Sequence, residues 1–299
     1  MRKDVLRRPL PTVDGVAPSR QTLPAGRWET VLEFLSERHA SVGSEAWAAR
    51  MREGRVVDET GRPVTPESPY RAGACVYYYR EPGVETRVPA EEQILHLDEH
   101  LLVADKPHFL AVAPAGRFLR ETLLVRLKRR THLDALVPVH RLDRETAGVV
   151  VFSVNPSTRG AYASLFQRRE VLKVYEALSR AAPRLDFPLT RRSRVVAGEP
   201  FFRMKEVEGE PNSETRVDLI EHGDDVSLYE ARPLTGRKHQ VRLHLAALGI
   251  PILNDRLYPE AWPAAPEDFS APLKLLARSV SFRDPLDGCE RYFRSEREL

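Results

Sequence analysis

The strongest indication of the fold lies in residues 140–154, which read HRLDRETAGVVVFSV. The second half of this segment, from Gly148, is rich in β-branched valine and predicts a buried β-strand. Asp143 lies in the loop before that strand, between Arg141 and Arg144. Neighbouring cations favour the ionised form of a carboxylate, and a charged aspartate in a cleft can act as a nucleophile or a base. Taken alone, a turn or capping role explains such an aspartate more readily.

Further strands and short helices are predicted along the rest of the chain. Apolar runs and period-two alternation indicate a strand pair within 94–107 and single strands at 173–178 and 226–234. Ser157 is a suitable N-cap residue for one helix, and a second helix over 239–248 is ended by Gly249. Many strands joined by hairpins and short helices favour an α+β fold with a mostly antiparallel central sheet.

The 299 residues favour two domains over one. Residues 1–26 are rich in proline and arginine and have no apolar period, which predicts an N-terminal tail. Residues 27–88 combine an apolar helical stripe with short strands and predict a small domain. Residues 89–299 then form the larger domain.

The composition is that of a soluble enzyme, with 30% charged and 42% hydrophobic residues. No segment approaches the roughly 20 continuous apolar residues of a membrane helix, and no signal-peptide core follows the basic start. We therefore expect a cytoplasmic protein without a membrane partner. Cys75 and Cys289 lie far apart, which suggests neither a disulfide framework nor a thiolate zinc site.

Positive charge is concentrated in two places, although the formal net charge is only +3. Lysine and arginine outnumber aspartate and glutamate by eight to three over residues 117–144, and Arg237, Lys238 and Arg242 form a second group. A solvated basic face is the usual explanation of such runs. Because both groups flank the motifs described here, we expect contacts with the backbone of a polyanionic partner from the first of them, at Arg126, Lys128, Arg129 and Arg130.

The nonapeptide 140–148 resembles the signature of the RluA-like pseudouridine synthases, which run His-Arg-Leu-Asp, two variable residues, Thr, a small residue and Gly. Further segments resemble motifs of that family in the same order, namely LDEHLLVADKP, EVLKVYEAL, NSETRV and LTGRKHQVRLHLAALGIPILNDRLYP. The resemblance covers roughly residues 92–290. It implies a pseudouridine synthase catalytic domain that isomerises uridine in structured RNA without a cofactor. Ribosomal RNA is the favoured substrate, transfer RNA a second one, and a monomer the expected state.

The resemblance also implies roles for individual residues. Asp143 corresponds to the catalytic aspartate, and Tyr175 to the tyrosine that lies against the target base. Arg242 corresponds to the arginine that pairs with the aspartate, and it is expected to fill the space left by the flipped base. Substrate contacts are implied for Arg141, Arg144, Thr146, Arg237, His239 and Gln240. The small domain loosely resembles the alpha-L RNA-binding module.

Alternatives remain open at the level of sequence. A catalytically inactive RNA-binding protein would share the fold, and a glycoside hydrolase would need a second carboxylate for which no motif is present. His239 and His244 are five residues apart, a poor spacing for two ligands on one helix face, so no metal is expected. A kinase is excluded, since no glycine-rich phosphate loop accompanies the His-Arg-Leu-Asp motif. The expected partner is RNA, not DNA.

Overall fold

The computed structural model describes residues 9–81, 83–182, 184–262 and 268–299. The chain divides into two compact units, Met1–Val84 and Glu85–Leu299. Among the described residues, no helix combines the length and the apolar character needed to cross a membrane.

In its described residues, the first unit packs two helices against a small antiparallel sheet. Its elements are β1 (Ser19–Thr22), α1 (Val31–Arg38), α2 (Ser44–Arg52), β2 (Val56–Asp58) and β3 (Cys75–Tyr78), with strand order β1-β3-β2. Phe34, Leu35, Trp47 and Met51 are almost fully buried between the helices and the sheet. Thr30 caps α1, because its hydroxyl accepts a hydrogen bond from the Glu33 backbone N–H.

The prediction of a tail over residues 1–26 is wrong for its last part. Residues 19–22 form β1, whose backbone pairs with β3 from Ser19 opposite Tyr78 to Thr22 opposite Cys75. Leu23, directly after the strand, is 1% exposed. No apolar period marks this strand because its four side chains are polar. Backbone pairing, the anchoring Leu23 and side-chain contacts of Arg20 and Thr22 with Cys75 hold it.

The described residues of the second unit form an 11-stranded sheet with three helices beside it. Its strands are β4 (Gln93–Leu97), β5 (Leu101–Lys106), β6 (Val137–Pro138), β7 (Ala147–Ser153), β8 (Leu172–Arg180), β9 (Leu189–Ala197), β10 (Met204–Val207), β11 (Ser213–Glu221), β12 (Val226–Pro233), β13 (Leu275–Arg283) and β14 (Glu290–Arg294). Its helices are α3 (Leu123–Thr131), α4 (Arg159–Arg168) and α5 (Gln240–Ala247). The main strand order is β10-β9-β11-β12-β8-β13-β7-β5-β4, and the one parallel pair among the described strands is β13 with β7. The expected α+β class with a mostly antiparallel sheet is confirmed.

The strands and helices predicted for the second unit are present, and one helix differs in detail; several other elements, among them β9, β10, β13, β14 and α3, were not predicted. The N-cap position of α4 is Thr158, because the Ser157 hydroxyl is used in a turn with the Asn155 side chain. Helix α3 lies within the basic run 117–144, which the sequence analysis interpreted by its charge alone. The apolar side chains Leu123 and Leu127 of this helix are buried.

A glycine fixes the contact between β7 and β13, where the two halves of the sheet meet. Gly148 lies opposite Ala277 and has φ of +115°, a backbone conformation that glycine adopts readily and residues with a Cβ atom rarely do. A Cβ atom at this position would lie 2.2 Å from the Ala277 carbonyl oxygen. On its other side Ala277 pairs with Tyr175 of β8. The loop that precedes β7 is thereby brought next to Tyr175.

Candidate active site

A cavity of about 560 Å³ opens beside this junction. It is lined by the loop before β7, the end of α4, the start of β8, the turn after β12 and the start of α5. Predicted site residues that line it are Arg141, Asp143, Thr146, Tyr175, Arg237, His239, Gln240 and Arg242. Residues far apart in the sequence therefore meet at one site.

Asp143 is held in this cavity by contacts on two sides. One carboxylate oxygen, Oδ2, lies 3.4 Å from Arg242 Nη1, and Oδ1 lies 3.8 Å from His239 Nε2. Its backbone oxygen accepts a hydrogen bond from the Thr146 N–H at 3.2 Å. The side chain is 23% exposed. Asp143 therefore combines a fixed orientation with access to a ligand in the cavity.

The loop around Asp143 is anchored by the buried Lys106 of β5 and by the partly buried His108, two residues beyond that strand. Lys106 Nζ donates hydrogen bonds to the carbonyl oxygens of Pro107, Leu110 and Arg144, at 2.7–3.0 Å. His108 donates through Nδ1 to the Glu145 carbonyl oxygen at 2.7 Å. Burial lowers the pKa of Lys106 to about 7, while three carbonyl acceptors match the three N–H donors of its charged form. The Lys-Pro step of the sequence thus has a structural role that its motif alone did not specify.

Arg242 is buried, and a carboxylate that the sequence did not single out fixes its orientation. Its Nε and Nη2 donate to the two oxygens of Asp255, at 2.8 and 2.7 Å, so the bidentate partner is Asp255 and only Nη1 faces Asp143. Burial alone would lower the pKa of Arg242, but the hydrogen bonds and the charge of Asp255 outweigh it and raise the pKa. Only 1% of the Arg242 side chain is exposed. Its entry into the space of a flipped base would need this buried side chain to move, and that part of the expectation stays a prediction.

His239 connects Asp143 to the C-terminal part of the site. It stands at the N-cap position of α5 with φ of +56°, and its Nδ1 lies 3.0 Å from the Tyr258 hydroxyl. Burial is the main cause that lowers the pKa of His239, so the ring is neutral near pH 7. If the Tyr258 hydroxyl donates to Nδ1, the ring proton sits on Nε2 and faces Asp143.

Tyr175 and Lys173 both reach the cavity from β8, since alternate residues of a strand share a face. Burial raises the pKa of Tyr175, and the nearby charge of Asp143 adds to the effect, so the side chain stays a phenol. Lys173 Nζ donates to the Thr235 carbonyl oxygen at 2.9 Å. Burial and then the Arg169 charge lower the pKa of Lys173 to about 8. Sequence reasoning missed Lys173, although its spacing from Tyr175 could have indicated it.

The remaining predicted substrate contacts differ in what their side chains do. Gln240 is buried, and its amide bonds to Thr235, Thr215 and the backbone, so it orders the turn before α5. Arg144 stacks on the Phe118 ring at 4.6 Å. Arg141, in contrast, is exposed at the rim of the cavity.

The expected RNA-backbone residues do not form one exposed row. All five N–H donors of Arg126 are used within the unit, by Glu121, Glu92 and the carbonyl oxygens of Val88 and Ala90. Lys128 is also buried and donates to the Asp134 carbonyl oxygen at 2.7 Å. For these two residues the prediction is wrong, because internal acceptors hold their charges. Arg129 and Arg130 are exposed, and a contact with phosphate remains a prediction for them.

Comparisons with known proteins agree with this geometry. A family model described as RNA pseudouridylate synthase matches residues 100–247. An uncharacterised RNA pseudouridine synthase of Synechocystis is 31% identical over 234 residues, covering 76% of this chain and 79% of the relative. The dual-specificity RNA pseudouridine synthase RluA of Escherichia coli is 32% identical over 231 residues, covering 71% and 98%. The solved structure of human RNA pseudouridylate synthase domain containing 1 superposes with a TM-score of 0.58 at 25% identity, over 72% of this chain and 86% of that one.

Fold and site together define an isomerase that acts on uridine in RNA. The chain belongs to the RluA-like family of RNA pseudouridine synthases. The family, fold and activity expected from the sequence motifs are therefore confirmed.

Proposed function

We propose that Asp143 is the catalytic residue of this synthase and that Tyr175 and Arg242 complete the reacting site. The observation that carries the proposal is a partly exposed carboxylate, held 3.4 Å from a buried guanidinium, in a cavity that Tyr175 also lines. Of the described residues lining this cavity, Asp143 is the only carboxylate. A glycoside hydrolase with two carboxylates is disfavoured by the same observation.

The reaction breaks the glycosidic bond of uridine, turns the uracil and rejoins it to the ribose through its 5-position carbon. Asp143 either attacks the ribose anomeric carbon or removes the neighbouring 2′-position proton. Tyr175 packs on the uracil as a phenol, since its raised pKa disfavours the phenolate. It could accept the 5-position proton only after losing its own. Arg242 orients Asp143, and Asp255 keeps Arg242 in place.

The target uridine must leave its stack, which costs a few kcal/mol in a duplex and less in a loop. Cationic side chains around the cavity can offset that cost through phosphate contacts, namely Arg141, Arg169, Arg237 and Lys238. Arg141 is exposed beside Asp143, which suits it better than Arg242 to fill the place of the extruded base. We extend the proposal to ribosomal RNA as the favoured substrate and transfer RNA as the second, in the cytoplasm, with the chain as a monomer. The first unit is proposed to be an RNA-binding domain.

The test uses RNA from a strain lacking the gene, with tritium at the 5-position of its uridines. Purified ribosomal and transfer RNA fractions are incubated separately with wild-type protein and with Asp143→Ala. Tritium release from the ribosomal fraction by wild type but not by Asp143→Ala supports the proposal. Release by wild type from the transfer fraction alone would instead identify transfer RNA as the substrate. Binding of both fractions without release, in naked RNA and in ribosomal assembly intermediates, would favour an inactive RNA-binding protein.

A further inference from the structure

Two phenylalanines stand exposed at the turn between β9 and β10. Phe201 is 87% exposed and Phe202 is 40% exposed, and their ring centroids lie 5.6 Å apart at 77°. A single exposed apolar residue needs no explanation, but two adjacent aromatic rings at a hairpin tip leave a large apolar area in water. We call the two residues the Phe tip.

One hydrogen bond ties the Phe tip to a residue that lines the cavity. Lys238, which lines the cavity, donates through Nζ to the Phe202 carbonyl oxygen at 2.9 Å. The base of the hairpin is held by Tyr258, whose hydroxyl accepts from the Met204 N–H at 2.8 Å and lies 3.0 Å from His239. The two rings are therefore presented from a fixed support at the edge of the site that contains Asp143.

Charge around the Phe tip suits a polyanion more than an apolar partner. Lys238 and Arg203 flank it, and Lys205 is exposed at the start of β10, against the exposed acid Glu199. Arg203 is fixed, with its guanidinium 5.1 Å above the Tyr258 ring and a hydrogen bond to the Pro259 carbonyl oxygen at 2.6 Å. Exposed rings beside cations are the combination with which proteins hold unpaired nucleotides.

We infer that the Phe tip is a stacking platform for an unpaired base that neighbours the target uridine. The inference rests on the proposed function, because it places the target nucleoside in the cavity beside Asp143. A strand that delivers its uridine there passes over the rim at Lys238, next to the two rings. The substrate class that follows is a uridine in a loop or bulge, with at least one unpaired neighbour, instead of a uridine within a continuous duplex.

The test measures binding separately from turnover. Kd is determined by fluorescence anisotropy for a labelled single-stranded RNA of mixed sequence and for a blunt-ended duplex of two complementary strands, with wild type, Phe201→Ala/Phe202→Ala and Phe201→Tyr/Phe202→Tyr. The alanine pair is expected to raise Kd for the single strand by on the order of tenfold, as loss of base stacking does, and to leave Kd for the duplex unchanged. The tyrosine pair is expected to restore wild-type binding. The dependence of Kd on salt stays unchanged, because no cation is removed.

Tyr292→Ala is the matched control, since Tyr292 is an aromatic residue of β14 with 59% exposure. It lies away from the cavity, because it pairs with Ser281 of β13, six residues along that strand from the cavity residue Leu275. If the alanine pair binds the single strand as wild type does, the inference is overturned. It is also overturned if Kd rises equally for the single strand and the duplex. Sedimentation of wild type and of the alanine pair is compared as well. A different mass for the alanine pair would overturn the inference and assign the Phe tip to contact with another copy of the protein. Tritium release by the same proteins reports on the proposed function independently, so a failed platform and a failed function are distinguishable.

Discussion

Replacing Asp255 by asparagine is expected to destabilise the second unit and to disorient its active site. The Asp255 side chain is fully buried, and its Oδ1 accepts from Arg242 Nη2 and from the backbone N–H groups of Leu257 and Tyr258, while Oδ2 accepts from Arg242 Nε. All of these partners are N–H donors, so in either orientation the NH2 group of an asparagine amide would face an N–H group that needs an acceptor. Arg242 would also lose its fully buried counter-charge.

Removing one partner of a buried ion pair costs about 3–5 kcal/mol. The lower value is expected here, because Arg242 Nη1 already lies 3.4 Å from Asp143 and 3.8 Å from Glu145, which can take over part of the compensation. For a unit of this size, about 3 kcal/mol lowers Tm by roughly 6–12 °C. Because Arg242 would then move toward Asp143, we expect kcat to fall by about 100-fold with little change in RNA affinity.

The assay combines urea unfolding with tritium release and RNA binding. Asp218→Asn is a suitable control, since Asp218 forms an ion pair with Arg216 at 3.3 Å in which the side chains are 33% and 51% exposed. Such exposed pairs contribute about 0.2–1 kcal/mol. If Asp255→Asn unfolds like the control and keeps its kcat, then Asp255 does not orient Arg242 and the described support of Asp143 is wrong.

Three further changes test other parts of the structure. Gly148→Ala should destabilise the second unit by more than about 3 kcal/mol in urea unfolding, because its Cβ would lie 2.2 Å from the Ala277 oxygen at a φ of +115°; a wild-type midpoint would contradict this packing. Lys173 has a folded pKa of about 8 against an ordinary value of 10.5, so the unfolded chain binds more protons between these pH values and stability rises with pH across that window. Lys173→Met should remove up to about 3 kcal/mol of that rise. If urea unfolding at pH 7.5 and pH 10 shows the full wild-type rise in the variant, the lowered pKa of Lys173 is refuted as its cause. Arg126→Ala should lower stability by about 3–5 kcal/mol, since it leaves Glu92 and Glu121 without their buried partner, while the folded protein keeps its RNA affinity; weaker binding at full stability would restore Arg126 as an RNA contact.

The sequence predicts the strand after Asp143 and the fold class because their causes are local. The valine run from Gly148 has one plausible structure, a buried strand, and the motif around Asp143 lies directly before it. The contact between Asp143 and Arg242, which lie 99 positions apart, was implied by the resemblance to the RluA-like family and not by the residue pattern alone.

Other features depend on which distant side chains meet, and the sequence does not contain that information directly. Arg242 has several carboxylates within reach of its charge, and only the folded loop after α5 shows that Asp255 takes the bidentate position. Arg126 reads as part of a basic surface until the fold brings Glu92 beside it. Charge density alone does not distinguish an exposed cation from one held by buried acceptors.

The role of Asp143 is tested most directly by Asp143→Asn, which keeps the size of the side chain and removes its charge. Tritium release from 5-tritiated RNA is followed in a single turnover with enzyme in excess, and Kd for the same RNA is measured in parallel. We predict full release by wild type, none by Asp143→Asn, and RNA affinity within about tenfold of wild type, because a carboxylate does not attract the phosphate groups that dominate RNA affinity. Release by Asp143→Asn at a rate near that of wild type would contradict the assignment of Asp143 as the catalytic residue.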